Sequence, residues 1–178
     1  MTTTMVALLR GINVGRAKRV AMADLRSLVS ELGFSDVRSV LNSGNLIFDD
    51  DSGAAPATVA ARIESAVDDR FGLDARVVVL TAAELAELVA SNPLGAVADN
   101  PSRLHVALLA RSAHRTALEP LAERDWRPEA LALGERCAYL WCPAGVLKSA
   151  LPKAVESAVG AAVTMRTWAT ALKILAKC

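Results

Sequence analysis

The chain has few residues of the types that hold metals or form disulfides, and few aromatic rings. Of 178 residues, two are histidine and three are cysteine, and aromatic residues make up 4%. Cys137 and Cys142 fall on opposite faces of one predicted strand, so their spacing favours neither a disulfide framework nor a zinc site. His105 and His114 have no cysteine or carboxylate nearby at ligand spacing. The sequence therefore predicts no metal and no cofactor, and it identifies no catalytic base.

Long apolar runs are also missing. No stretch approaches the roughly 20 residues that a membrane-spanning helix needs. The apolar segment at residues 5–9 is too short for the core of a secretory signal. We expect a protein of the reducing cytoplasm that is neither secreted nor inserted in a membrane.

Small and branched apolar residues are abundant. Hydrophobic residues make up 53% of the sequence, which is enough for a core of Ala, Val and Leu without disulfides or metal. In residues 1–80 the apolar pattern alternates between strand and helix periods in the order strand, helix, strand, strand, helix, strand. Gly33 and Gly72 end the two helical stripes. The first half is therefore predicted as βαββαβ.

The second half repeats that order. Strands are predicted at residues 104–110, 130–134, 137–142 and 161–165, and helices near 118–125 and at 151–160. Two βαββαβ units predict an α/β protein made of two successive ferredoxin-like α/β-plait halves with antiparallel sheets.

The connections between the halves suggest domain boundaries. Thr81 and Glu84 have capping-box spacing and predict a linking helix, so the predicted domains are 1–80, a linker at 81–102, and 103–178. A C-terminal helix at 167–177, with Trp168, Leu172 and Leu175 on one side, is predicted to cover part of a sheet. Packing of the two sheets on each other is the alternative.

Charge is distributed unevenly although the net charge is only +1. Residues 1–20 hold four bases and no acid, and residues 146–178 hold five bases against Glu156 alone. If the two ends meet in the fold, they form one basic patch. The near-neutral total favours a small anionic ligand over a long nucleic-acid duplex.

The first candidate site is the loop of residues 10–20 between the first strand and the first helix. Its candidate ligand-binding residues are two glycines, one amide and three cations: Arg10, Gly11, Asn13, Gly15, Lys18 and Arg19. Such a loop can present backbone N–H groups and positive charge to a phosphate near a helix N-terminus. The spacing matches neither a Walker loop nor a dinucleotide fingerprint. A tight loop with solvated cations is the alternative interpretation.

Two further polar motifs are candidates for the same site. One is the first hairpin turn, with Asn42, Ser43, Gly44 and Asn45, although these residues also form ordinary turns. The other joins the last strand to the last helix and contributes Arg166 and Trp168. Thr167 lies between these two residues and is suited to cap the helix. Trp168 is equally suited to packing in a hydrophobic core.

Together these motifs resemble one bacterial family. Residues 8–15 (LLRGINVG), Met22 with Leu25, residues 43–45 with Phe48, and Arg166 with Trp168 and Leu172 are similar to the pattern of the family catalogued as domain of unknown function (DUF) 1697. The resemblance covers essentially the whole chain and implies a paired α/β-plait fold with no established activity. Arg16 and Thr167 depart from the family pattern, which has glycine and asparagine there.

Three functional hypotheses follow. The first is binding of a phosphorylated small molecule or nucleotide, with charge from the loop, hydrogen bonds from the hairpin, and Arg166 closing the site. The second is single-stranded RNA binding, since RNA-recognition domains share the βαββαβ order, but Phe48 is the one aromatic residue offered for base stacking. The third is a protein-interaction module that pairs through a sheet face or edge. The oligomeric state and any catalysed reaction stay open.

Overall fold

The protein is described by a computed structural model that covers residues 1–15 and 19–178. The described chain forms two compact units, one of Met1–Leu85 with Ile174–Cys178 and one of Ala86–Lys173. Lys18, a predicted site residue, lies outside the described residues, as does Arg16. The predicted domain division at 1–80, 81–102 and 103–178 stays a prediction.

The first unit contains one four-stranded antiparallel sheet in the order β2-β3-β1-β4. Its elements are β1 (Thr3–Arg10), α1 (Met22–Glu31), β2 (Ser35–Val40), β3 (Asn45–Asp50), α2 (Pro56–Phe71) and β4 (Arg76–Thr81). This strand order confirms the ferredoxin-like prediction for the first half. The pairing of Leu8 with Asn45 sets the turn between β2 and β3 beside the end of β1.

One face of this sheet packs against both helices. Alternate residues of β1 (Met5, Ala7 and Leu9) are buried in one cluster with the apolar stripes of α1 and α2. Each fully buried aliphatic side chain contributes about 1.5–3 kcal/mol relative to exposure. Phe48 of β3 belongs to the same cluster, with its ring centroid 4.7 Å from that of Phe34. The helices therefore hold the sheet, and with it the ends of β1 and β3, in place.

The linking helix α3 (Ala82–Ala90) spans the boundary between the units. The Glu84 backbone N–H donates to Thr81 Oγ1 at 3.1 Å, and the Thr81 N–H donates to Glu84 Oε2 at 2.8 Å. The predicted capping box is thus confirmed.

The second unit repeats the sheet order as β6-β7-β5-β8. Its further elements are β5 (Leu104–Leu109), α4 (Glu119–Ala122), β6 (Ala130–Leu133), β7 (Cys137–Trp141), α5 (Leu151–Val159), β8 (Val163–Thr167) and α6 (Trp168–Leu175). Short 3-10 helices occupy Ser112–Leu118, Val146–Lys148 and Gly160–Ala162. Among the described residues, no helix is both long and apolar enough to cross a membrane.

The two faces of the second sheet have different covers. Ala107, Leu109, Ala138 and Leu140 pack with Leu118, Leu121, Leu151 and Val155 of the helical segments. Tyr139 points to the opposite face because side chains alternate along a strand. Its hydroxyl donates to Leu88 O of α3 at 2.7 Å, and its ring centroid lies 6.1 Å from that of Trp168 in α6. The C-terminal helix thus covers part of a sheet, as predicted.

Two details of the prediction were wrong. The helix predicted near 118–125 is only the four-residue α4, which follows a 3-10 helix over Ser112–Leu118. Leu172 was placed on the covered side of the last helix, but its side chain is 40% exposed. Ala171 and Ile174, which follow Trp168 at helical spacing, are buried instead.

Candidate functional site

The loop after β1 has an alternating backbone conformation. Gly11, Asn13 and Gly15 have φ values of +86°, +53° and +59°, whereas Ile12 and Val14 between them are outside the left-handed region. Glycine adopts positive φ without steric cost, and asparagine tolerates it better than most residues. A Cβ on Gly11 or Gly15 would meet no atom within 4 Å, so these glycines serve the backbone conformation and not a close packing contact.

Asn13 fastens this loop at two points. Its Nδ2 donates to Val20 O at 2.9 Å and to Asn42 O at 3.0 Å, and its Oδ1 accepts from the Val20 N–H at 2.8 Å. The side-chain amide therefore joins the two ends of the loop and ties them to the hairpin turn. Ile12 and Val20 are only 2% and 5% exposed, so their side chains anchor both ends of the loop in the hydrophobic core.

The hairpin turn packs directly against the loop. Gly44 O accepts from the Leu9 N–H at 2.8 Å. A Cβ on Gly44 would lie 2.8 Å from Ile12 Cδ1 and 3.0 Å from Leu9 Cβ, at a φ of +80°. Position 44 must therefore be glycine for both conformational and packing reasons. The sequence motif indicated a turn here, but not this contact with the loop.

The polar side chains of the turn are engaged within it. Asn45 is fully buried, and its Nδ2 donates to Val40 O at 2.8 Å and to Ser43 Oγ at 3.0 Å. Leu41, with a φ of +58°, and Asn42 are exposed. The geometry gives Asn45 a structural task, and a ligand-binding role for Asn42, Ser43 and Asn45 stays a prediction.

Two predicted cations of the loop are within the described residues. Arg10 ends β1 and is half-buried, and Arg19 is exposed shortly before α1. The first helix begins after Ala21, which offers no side-chain cap, so the N–H groups of its first turn lack a side-chain acceptor at that position. Asp24 lies in this turn. The absence of Ser, Thr, Asn or Asp before Met22 was a visible signal for an uncapped helix start, which the sequence reasoning missed.

The remaining predicted site residues, Arg166 and Trp168, belong to the second unit. Arg166 Nη1 donates to Thr164 Oγ1 at 3.0 Å and to Met165 O at 2.9 Å, and burial lowers the pKa of Arg166 to about 10. Thr167 Oγ1 accepts from the Thr170 N–H at 3.2 Å, which confirms its capping role. That Arg166 closes the site at the loop stays a prediction.

His105, Cys137 and Cys142 are buried side chains of the second unit. No group of three or more His, Cys, Asp or Glu side chains in the described part of the chain is arranged to hold a metal ion. Burial raises the pKa of the Cys137 thiol to about 11 and also raises that of Cys142, so both stay protonated at neutral pH. Burial lowers the pKa of His105, and its Nδ1 has no hydrogen-bond partner.

The protein is an α/β protein of two ferredoxin-like units, and in the first unit a loop with two glycines is hydrogen-bonded to the hairpin turn. The chain belongs to the family described as Protein of unknown function (DUF1697), whose pattern matches residues 1–139, so the family prediction is confirmed. It is similar in structure to the conserved bacterial protein SP0830 from Streptococcus pneumoniae, with a TM-score of 0.78 and 21% identity over 99% of this chain and 98% of that chain. Similarity at this identity shows the fold alone. None of the curated proteins matches.

Proposed function

We propose that residues 11–15, in the loop between β1 and α1, bind the phosphate group of a small phosphorylated molecule or nucleotide. The observation that carries this proposal is the alternation of φ at Gly11, Asn13 and Gly15. In the proposed nest, right-handed residues at 12 and 14 alternate with these left-handed ones and turn successive backbone N–H groups toward one concave side, which is the arrangement of anion-binding nests.

Charge near the loop supports the same ligand class. Arg10 and Arg19 lie at its two ends, and α1 begins three residues after Arg19 without a side-chain cap. The N-terminus of a helix carries partial positive charge and unpaired N–H groups, both of which favour an anion. Asp24 in the first turn offsets part of this potential, so the backbone N–H groups and the two arginines carry most of the affinity.

The Asn13 contacts position the described residues of the loop, 11–15 and 19–20, without a ligand. Its ends are joined through Val20, and its middle is fixed to the hairpin through Asn42 O. A preformed loop binds with a smaller ordering cost than one that folds around its ligand. The hairpin therefore acts in this proposal as a support, and its side chains are secondary as ligand contacts.

The test is calorimetric titration of the purified protein with pyrophosphate and with nucleotides, at constant ionic strength. Gly15→Ala introduces a methyl group into open space at a φ of +59°, which strains the nest without a clash. Gly53→Ala is the matched control, since it has a φ of +69° and equally open surroundings in the same unit. Each change costs about 1 kcal/mol of stability.

We expect Gly15→Ala and Arg10→Gln each to weaken pyrophosphate binding about tenfold, the effect of losing roughly one charge-assisted contact. Gly53→Ala should bind like the wild type. No saturable binding of any phosphate compound, or equal losses in Gly15→Ala and Gly53→Ala, would refute the proposal.

No specific observation favours RNA binding. Phe48, the aromatic residue offered for stacking, is fully buried between the sheet and its helices. Stacking on bases requires an exposed ring. The RNA hypothesis therefore has less support than the phosphate hypothesis, and protein interaction stays an open alternative.

A further inference from the structure

A second basic site lies in the first unit, away from the sequence motifs. Residues of α1, of the edge strand β2 and of the chain after α6 surround an open cavity of about 550 Å³. The lining residues are Arg26, Val37, Arg38, Ser39, Ala176, Lys177 and Cys178. Three of them are cations and none is an acid, and the volume lies in the range of small-molecule sites.

The two arginines are held in place by contacts on opposite faces of β2. Ser39 pairs with Leu46, a residue of the helix-side core, so Ser39 faces the helices, where its Oγ accepts from Arg26 Nη1 at 2.6 Å. Arg38 faces the other way, because side chains alternate along the strand. Its Nη1 donates to Lys177 O, and its Nη2 lies 3.1 Å from Asp36 Oδ2. The cavity thus curves around the edge of the sheet with one fixed guanidinium on each side.

We propose that this cavity binds a small molecule through a dianionic phosphate group. Planar guanidinium groups match the oxygens of a phosphate, and two arginines with Lys177 supply more charge than a single carboxylate would need. Val37 and Ala176 add apolar surface for the rest of the ligand. Asp36 pairs with Arg38, and the side chains of Arg26 and Lys177 add two further cations to the lining.

The shape of β2 favours a small molecule over an acidic peptide that adds a strand. The pairing register shifts between Ser35 and Arg38, and Asp36 has a φ of +46°. A bulge of this kind twists an edge strand and shortens the row of backbone groups that a partner strand can use. The residues after α6 also line the cavity beside this edge.

Cys178 provides a reporter inside the cavity. It is the exposed cysteine of the three, whereas Cys137 and Cys142 are buried. Burial raises the pKa of the Cys178 thiol, and the neighbouring Arg38 opposes that effect. A dianion bound in the cavity would offset the charge of Arg38 and disfavour the reactive thiolate, so occupancy slows alkylation of this residue.

The experiment measures the rate of Cys178 alkylation by iodoacetamide, read by mass spectrometry, with and without pyrophosphate and with glycerol 3-phosphate. Potassium chloride at matched ionic strength controls for screening. The variants are Arg26→Gln with Arg38→Gln in the cavity, Arg76→Gln as a cation elsewhere on the same unit, and Arg10→Gln at the loop. Arg38 itself lowers the pKa of the Cys178 thiol. For each variant, the alkylation rate with phosphate is therefore divided by the rate without it, and these ratios are compared.

We expect saturable protection of about threefold in the wild type, in Arg76→Gln and in Arg10→Gln, because a dianion bound in the cavity offsets the positive charge of Arg38 that favours the Cys178 thiolate. The Arg26→Gln/Arg38→Gln variant should retain less than half of that protection while keeping its circular dichroism spectrum. Protection that is absent, that grows linearly with phosphate, or that persists in the double variant would overturn the proposal. So would protection by an acidic peptide but not by either phosphate. Loss in Arg10→Gln alone would assign the effect to the loop instead.

Discussion

The two units have the same order of strands, but the structure at the end of the first strand differs between them. In the first unit the Leu9 N–H donates to Gly44 O at 2.8 Å, and in the second the Leu109 N–H donates to Arg136 O at 2.9 Å. The hairpin turn therefore meets the end of the central strand through the same backbone contact in both units. What differs is the side chain at the equivalent turn position.

In the second unit that side chain occupies the end of the strand. Arg136 Nη2 donates to Leu109 O and to Ala110 O, both at 3.2 Å, and the chain enters a 3-10 helix at Ser112. In the first unit Gly44 has no side chain, Ile12 packs against it, and the loop to α1 bears its own anchor in Asn13. The comparison teaches that the same strand order accommodates two strand ends: one filled by the Arg136 side chain, and one where Gly44 leaves room for Ile12 and the Asn13 amide joins the loop to the turn.

The largest expected effect comes from replacing Gly44, because Ile12 of the loop packs directly against this position. Gly44→Ala forces a methyl group against Ile12 and Leu9 at a positive φ, and we expect a loss of about 3 kcal/mol in the free energy of unfolding. Gly33→Ala, with a φ of +94° and no atom within 4 Å of the new Cβ, should lose only about 1 kcal/mol. Urea unfolding measures both. Equal losses would mean that the contact with Ile12 is unimportant.

A smaller effect is expected when the anchor of the loop is removed. Asn13→Gly keeps the freedom to adopt positive φ but removes three hydrogen bonds, and should lose about 2 kcal/mol. Asn42→Ala is the control, because Asn42 takes part in this contact through its backbone carbonyl, and its change should stay within about 0.5 kcal/mol. If both variants were as stable as the wild type, the loop would not depend on the Asn13 amide.

The smallest expected effect is a pH dependence of the free energy of unfolding that arises from His105 in the second unit. His105 is 6% exposed with an unpartnered Nδ1, and burial lowers its pKa, although a hydrogen bond with the Arg103 backbone opposes this shift. The unfolded chain takes up a proton near its ordinary pKa of about 6.5, so the contribution to stability is complete above that pH and is lost as the pH falls toward the lower folded value.

Between pH 7.5 and pH 5.5 we expect this group to lower the free energy of unfolding, because the unfolded chain takes up the proton more readily than the folded chain. His105→Leu should reduce the pH-dependent loss, and His114→Leu, at the other histidine of the chain, should retain it. Urea unfolding at several pH values provides the measurement. Identical pH profiles for wild type and His105→Leu would show that the buried imidazole is not responsible.

The sequence predicted the parts of this fold that depend on local pattern. Apolar periodicity was sufficient for the order of strands and helices, and the tight-loop interpretation of residues 10–20 fits the positive φ of Gly11 and Gly15. Contacts between distant residues could not be predicted in this way. Asn13 reaches Asn42 29 residues away, and Arg38 reaches Lys177 across 139 residues. Single-sequence periodicity contains no information about such pairs, so the support of the loop and the second basic cavity were both missed.

The most direct test of the central claim is an amide-resolved NMR titration with pyrophosphate at constant ionic strength. We predict saturable shifts at the amides of Gly11 to Gly15, and none at Ala110 to Ser112 of the second unit, where Arg136 closes the strand end. The shifts at the loop should disappear in Gly15→Ala and persist in Gly53→Ala. Saturation without any shift in the loop amides, or shifts of equal size in both units, would contradict the account.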